Sequence, residues 1–289
     1  MKILYYSGCL SQSKTTGLTL PMQAIANSLG IEIIEIPSIC CGAFFTKNII
    51  DMYGPVRVFL NARKLGNEVM TTCALCYNVL KQTNSLIRSD PKRRSEISSF
   101  FGEDYDGGVK VYHFLEILRD KIGFDKLSDI IKVDLKGLKV APYYGCLLLR
   151  PYEEIRLDNP ENPSIFEDFL ASIGCEPVDF PYKTECCGSY LGAISLDSVI
   201  EHSHAIIRSA LTSGAEVIAV ACPLCHFNLD QMQERIMQKY EDISNIPILY
   251  FTQLLAIALN VEEKLLGLEQ HSVNPRPWLR KIARIQHGV

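Results

Sequence analysis

Ten of the 11 cysteines in this 289-residue chain fall into two sets with the same internal order. The first is Cys9, the pair Cys40-Cys41, then Cys73 and Cys76. The second is Cys146, the pair Cys186-Cys187, then Cys222 and Cys225. Each set reads C…CCG…CxxC, with Gly42 or Gly188 following the pair. The flanks repeat as well. Lys2 to Cys9 aligns without a gap to Lys139 to Cys146. Leu29-Gly30 and Pro37 correspond to Ile173-Gly174 and Pro181. Gly66-Asn67-Glu68-Val69 leads into the first CxxC. Gly214-Ala215-Glu216-Val217 leads into the second, one residue further away. The block VYHFLEIL from Val111 resembles ILYFTQLL from Ile248. The offset between copies is 137 residues at the first cysteine, 149 at the CxxC and 137 at the last block. One chance CxxC would be weak, but five repeated positions in matching flanks are a duplication. The expected domains are residues 1–136 and 137–289, with the boundary near Asp134 to Gly137.

Composition says why the thiols matter. The chain is 47% hydrophobic and 21% charged, which is globular. Its formal charge of −4 lacks the basic surplus that phosphate binding needs, so nucleic acid is not an expected partner. No apolar run is long enough to span a bilayer, so direct membrane insertion is not expected. The first residues read as a strand rather than an export leader, which points to a cytoplasmic protein with reduced thiols. A chain of this length needs no disulfide staples, so metal or redox chemistry is the better expectation.

Within each copy, short apolar runs alternate with helical spacing. Ile3 to Tyr6, Ile31 to Ile36 and Val69 to Thr71 read as strands in the first copy. Val140 to Tyr144, Val178 to Phe180 and Val217 to Val220 read as strands in the second. Pro21 to Leu29, Val56 to Leu65, Ser164 to Ile173 and Val199 to Leu211 read as helices, each closed by glycine. Such alternation predicts two pseudo-symmetric α/β domains, each a small, mainly parallel sheet flanked by helices. Ligand sites in such sheets lie at the carboxyl ends of the strands, where most of the ten cysteines fall. Cys175 stands outside the repeat and reads as a buried small hydrophobe.

Five converging thiolates overfill a tetrahedral zinc site and exceed the four ligands of ordinary iron–sulfur clusters. Adjacent side chains diverge, so Cys40-Cys41 and Cys186-Cys187 suit two irons, or one bridging sulfur, better than one metal. The residues therefore suggest an iron–sulfur cluster of uncommon shape in each half. Zinc in one half and thiol–disulfide exchange are the alternatives.

The duplicated C…CCG…CxxC pattern resembles the cysteine-rich CCG-domain family, and more closely the B-type subunits of heterodisulfide reductase. Tyr144-Gly145-Cys146, Pro160-Glu161-Asn162-Pro163 and Cys222-Pro223-Leu224-Cys225-His226 carry the closer likeness, which extends to about Leu268. The resemblance implies two non-cubane [4Fe–4S] clusters. Cys9, Cys40, Cys41, Cys73 and Cys76 would hold one; Cys146, Cys186, Cys187, Cys222 and Cys225 would hold the other. It implies an oxidoreductase subunit that cleaves the coenzyme M–coenzyme B heterodisulfide, or a related disulfide, homolytically between the clusters. It also implies two partners: an iron–sulfur protein with cubane clusters (the C-type subunit) and a flavoprotein (the A-type subunit). The alternative is an electron-transfer subunit of a lactate, glycolate or succinate oxidoreductase of the same family. One departure concerns the first copy, which has 30 residues before its cysteine pair and 31 after, against 39 and 34 in the second.

His226, next to Cys225, and His113, in the repeated apolar block, are the candidate proton donors; hydrogen-bonded structural roles are the alternative for both. His202 and His204 read as helix-surface residues. No Gly-rich dinucleotide turn or phosphate loop is present, so electrons are expected from a partner. The tail from Ser272 to Val289 carries Arg276, Arg280, Lys281 and Arg284, no acid, and the single Trp278. It reads either as a docking arm or as a solvated, locally packed tail.

Overall fold

The computed structural model describes residues 1–9, 16–37, 39–43 and 45–279. It contains two four-stranded, all-parallel sheets, one per copy. The first comprises β1 (Lys2–Tyr5), β2 (Glu32–Glu35), β3 (Glu68–Thr71) and β4 (Lys110–His113), in the order β2-β1-β3-β4. The second comprises β5 (Lys139–Tyr143), β6 (Glu176–Pro177), β7 (Val217–Val220) and β8 (Ile248–Tyr250), in the equivalent order β6-β5-β7-β8. The central strands are apolar on both faces because helices cover both; every residue of β7 is buried. The fold is the duplicated α/β architecture read from the repeat.

Two features differ from the sequence reading. The edge strand of the second copy is Glu176–Pro177, two residues before the expected Val178 to Phe180. Gly174, in a left-handed turn (φ +88°), ends the preceding helix sharply. Pairing then begins at once, with Glu176 N–H donating to Leu138 O. The outer strands β4 and β8 come from the repeated VYHFLEIL and ILYFTQLL blocks, which had no strand assignment; each runs straight into a helix.

The helix that follows each of these outer strands packs on the other copy. Phe114–Glu116 and the wider turns after it lie against the second copy's helix Ile165–Ser172. Phe251–Ala258 lies against Thr16–Thr19 and Met22–Ser28 of the first. Phe251 meets Phe114, Phe166 and Phe169 at ring distances of 6.1, 6.2 and 5.9 Å. Thr252 Oγ1 donates to the Gly17 carbonyl at 3.1 Å, and the amides of Lys132 and Val133 both donate to Ala258 O. One contiguous core therefore runs through both copies. The order β2-β1-β3 puts a topological switch between β1 and β3, and β6-β5-β7 puts one between β5 and β7. Cys9 and Cys73 flank the first switch, and Cys146 and Cys222 the second.

Candidate metal centre

Each CxxC opens a helix. Cys73 is the N-cap of Ala74–Ser89, and its sulfur accepts from the Cys76 amide at 3.5 Å. Cys222 caps the short helix Pro223–His226, whose first position is a proline. Residues three apart on a helix share a face, so both thiols of each CxxC lie together at the helix start. The Gly-Cys of each copy comes to the same place. Gly8 (φ +81°) and Gly145 (φ +61°) sit in left-handed conformation, and a Cβ on either would lie 3.2 Å from the sulfur of Cys76 or Cys225. Glycine at these two positions lets the loop after β1 or β5 reach the CxxC sulfur.

The cysteine pair is anchored by a residue type the sequence reading passed over. Tyr143 OH donates to Glu185 O at 2.7 Å, immediately before Cys186. Its repeat partner Tyr6 donates to Ile39 O, immediately before Cys40. Both rings are buried. The signal was visible, since Tyr6 and Tyr143 align in the repeated block.

Through these anchors the structure brings the ten cysteines into two groups of five with the same order of contacts. In the first, Cys9 neighbours Cys40, Cys40 neighbours Cys41, Cys41 is 3.5 Å from Cys76, and Cys76 neighbours Cys73. In the second, Cys146 neighbours Cys186, Cys186 neighbours Cys187, Cys187 is 3.6 Å from Cys225, and Cys225 neighbours Cys222. All are free thiols. Hydrogen bonds from Cys40 and then Cys76 pull Cys41 down to about 4. Those from Cys146 and then Cys187 pull Cys186 down to about 2. Each half thus stabilises a thiolate at neutral pH, the form that ligates metal. The first group opens onto a cavity of about 250 Å³. The second closes on itself around about 10 Å³.

The two groups share a wall. The helix starts after Cys73 and Cys222 meet, with Ala74 N–H donating to Ala221 O at 2.9 Å. Pro223, Leu224 and Tyr190 of the second copy line the first cavity, and Ala74 of the first lines the second. Two asparagines secure the second group. Asn228 donates to Cys187 O (3.1 Å), Ser189 O (3.0 Å) and Cys187 Sγ (3.4 Å). Asn78, from the first copy, donates to Leu147 O and Arg150 O, both at 2.7 Å. Neither asparagine nor Tyr190 was singled out from the sequence.

The candidate histidines line neither cavity. His113 is fully buried; its Nε2 donates to Thr72 O at 3.1 Å and its Nδ1 accepts from Leu115 N–H, capping the next helix. Burial pushes its pKa down to about 3. His226 stacks on Tyr250 at 4.4 Å, with its Nε2 3.2 Å from His271 Nδ1. Asp230 joins these two histidines in a donor group within 4.8 Å. The group is internally committed, however. Gln253 Nε2 donates to His271 Nε2, and Asp230 accepts from the Ser272 and Val273 amides. His204 is not a plain surface residue: it stacks on Tyr240 at 3.8 Å and bonds Asp242. Cys175 is buried and lines neither cavity; burial raises its thiol to about 12. The tail packs locally at its start through Asp230 and an Arg276–Glu263 ion pair of 2.7 Å. Arg280, Lys281 and Arg284 lie outside the described residues.

Paired five-thiol groups at the carboxyl ends of two parallel sheets define a duplicated cysteine-rich protein. The cysteine-rich CCG domain profile matches residues 3–81 and 140–230, and the chain belongs to that family. It is 31% identical to the B-type subunit of the ferredoxin/F(420)H(2)-dependent CoB-CoM heterodisulfide reductase of Methanosarcina acetivorans, over 303 residues that cover 100% of this chain and 99% of the relative. It is 28% identical to the 8-methylmenaquinol:fumarate reductase membrane anchor subunit of Wolinella succinogenes, covering 93% of this chain and 96% of that one. Among the described residues here, no helix is long and apolar enough to cross a membrane. A hypothetical protein from Helicobacter pylori shares the fold, with a TM-score of 0.75 at 12% identity, over 94% of this chain and 52% of that chain.

Proposed function

We propose that this protein is the disulfide-reducing subunit of a heterodisulfide reductase-type complex, holding a non-cubane [4Fe–4S] cluster in each five-cysteine group. The donor set fits: five cysteine sulfurs gather in each group, and five ligands exceed what one tetrahedral zinc accepts. Bound there, such clusters supply electrons one at a time. The chain's own contribution is positional. Tyr6, Tyr143, Gly8, Gly145 and Asn228 fix the sulfurs, and Leu224 with Pro223 forms the apolar wall through which the two groups adjoin.

The observation that carries this reading is the shared wall between equivalent thiol groups. It would set one thiol group on either side of a single disulfide, across an apolar wall. Electrons would come from partner proteins with cubane clusters and a flavin. The similarity to a fumarate reductase subunit favours a second reading, an electron relay that binds no disulfide. One experiment separates them. The anaerobically purified protein is assayed for iron and sulfide, then for turnover with reduced methyl viologen and the mixed disulfide of coenzymes M and B. Turnover with about eight irons per chain supports the reductase, taking roughly four irons per cluster. Full iron without turnover supports the relay, and zinc in place of iron overturns both. A Cys186→Ala chain that loses its cluster yet keeps full disulfide reduction refutes the two-group mechanism.

A further inference from the structure

The two residues after each Cys-Cys pair share a rare backbone. Gly42 and Ala43 have φ of +87° and +63°; Gly188 and Ser189 have +89° and +46°. A non-glycine residue in this region is strained, and such strain persists where the surrounding structure holds it for a purpose. In the second copy the holding group is Asn228, bonded to both Cys187 O and Ser189 O. The double left-handed turn throws the next residue, Tyr190, out of its own half and into the lining of the other half's cavity. There it sits with Cys9, Cys40, Cys41, Cys73 and Cys76. Tyr190 is partly buried there.

The remaining lining of this cavity is mostly apolar: Leu18, Ala43, Leu75, Pro223 and Leu224. The Ser7 hydroxyl there donates to Glu35 at 2.7 Å. Tyr190 therefore brings a phenol to a largely apolar, sulfur-lined space. In the first copy, the residue at the same place in the repeat is Phe44, which has no hydroxyl. The phenol of the second repeat lines the first group's cavity and not the second's.

We propose that Tyr190 is the hydrogen-bond donor to the ligand sulfur held on the first half's side, making the site selective for an unsymmetrical disulfide. The proposal rests on the disulfide-reductase reading. In that reaction the S–S bond breaks, a one-electron donor of the viologen class supplies two electrons, and water supplies one proton to each sulfur. The Tyr190 hydroxyl bonds the sulfur that gains charge and is unchanged at the end.

The test is Tyr190→Phe in the intact, reconstituted chain, which installs the ring the first repeat carries. Three quantities are read: iron per chain, the calorimetric dissociation constants of coenzyme M and coenzyme B thiols, and kcat/KM with reduced methyl viologen and their mixed disulfide. Iron stays at the wild-type value. One thiol binds about tenfold more weakly, the other is unaffected, and kcat/KM falls about tenfold to a hundredfold, as expected for a lost hydrogen bond to a charged sulfur. Unchanged affinity for both thiols with wild-type turnover overturns this proposal and leaves the reductase reading standing. Loss of iron from Tyr190→Phe also overturns it, since the ring would then be scaffolding. A wild-type chain with full iron and no turnover overturns the reductase reading itself, and this inference with it.

Discussion

Asn228→Asp isolates one property of one side chain. The substitution keeps size and shape but replaces two N–H donors with a carboxylate. In the structure those donors serve Cys187 O at 3.1 Å, Ser189 O at 3.0 Å and Cys187 Sγ at 3.4 Å, from a residue that is 3% exposed. The Cys187 bond is buried and the Ser189 bond is partly buried, so water can rescue only the second. A lost bond costs about 1 kcal/mol, and an acceptor left buried without a donor costs about 1–3 kcal/mol more. The sum is about 2–4 kcal/mol, or roughly 3–7 °C in Tm for a chain of this size. The loss should also be local. On the proposed function, the turn carrying Cys187 relaxes, the second group loses its cluster while the first keeps its own, and iron per chain falls by about half. Anaerobic thermal melts and iron analysis of wild type, Asn228→Asp and Asn228→Leu measure both effects. Asn228→Leu lacks the donors but adds no charge, so it should fall between the other two. A Tm within about 1 °C of wild type with full iron would falsify the assignment of Asn228 as the clamp on this turn.

Three further outcomes follow from the geometry. Tyr143→Phe removes the donor to Glu185 O and should cost about 1–3 kcal/mol, seen as a lower denaturation midpoint and less iron in the second group; an unchanged midpoint would mean that this bond does not hold the cysteine pair. Gly145→Ala places a Cβ 3.2 Å from Cys225 Sγ in a left-handed turn, adding about 1–2 kcal/mol of strain and lowering iron content. Gly66→Ala, whose Cβ meets only Leu4 at 3.7 Å, is the tolerated control, and equal iron in both variants would refute the argument. Asp230 is buried, and desolvation raises its carboxyl from 3.8 to about 6. As pH rises through that window the unfolded chain releases a proton that the folded chain still holds, so stability falls, by up to about 3 kcal/mol. Asp230→Asn should remove this fall, and denaturant melts at pH 4 and pH 7 that decline equally in both proteins would contradict it.

The repeat was legible because covalent spacing survives in one dimension. Five cysteines per copy, each near the end of an apolar run, were enough to read two parallel sheets with thiols at their carboxyl edges. Short β4 and β8 escaped because four and three residues set no period, and their apolar blocks run directly into helices. The second edge strand was misplaced by two residues because Gly174, not hydrophobicity, decides where pairing starts. The aligned tyrosines Tyr6 and Tyr143 could have been found from the repeat. Tyr190 and Asn78 could not, because each acts on the copy to which it does not belong, and sequence carries no direct record of which copy a side chain faces. His113 shows the same limit: its position pointed to the space between the copies, but only the tertiary structure shows both ring nitrogens bonded to backbone.

The exchange of the helices that follow β4 and β8 has a mechanical consequence. Two lobes joined by a single linker can swing apart to admit a ligand. Here Phe251–Ala258 is embedded in one lobe while its strand belongs to the other, and Phe114–Glu116 does the reverse. Swinging the lobes apart would unpack the Phe114–Phe166–Phe169–Phe251 cluster and break the Thr252–Gly17 bond. The spacing between the sulfur groups is therefore set by the core, like the gap of a fixed gauge. On the proposed function, a ligand would meet the first group beside Cys9 and Cys40, the two exposed cysteines among the described residues. Its length, rather than any closure of the protein around it, would then decide whether it bridges the wall.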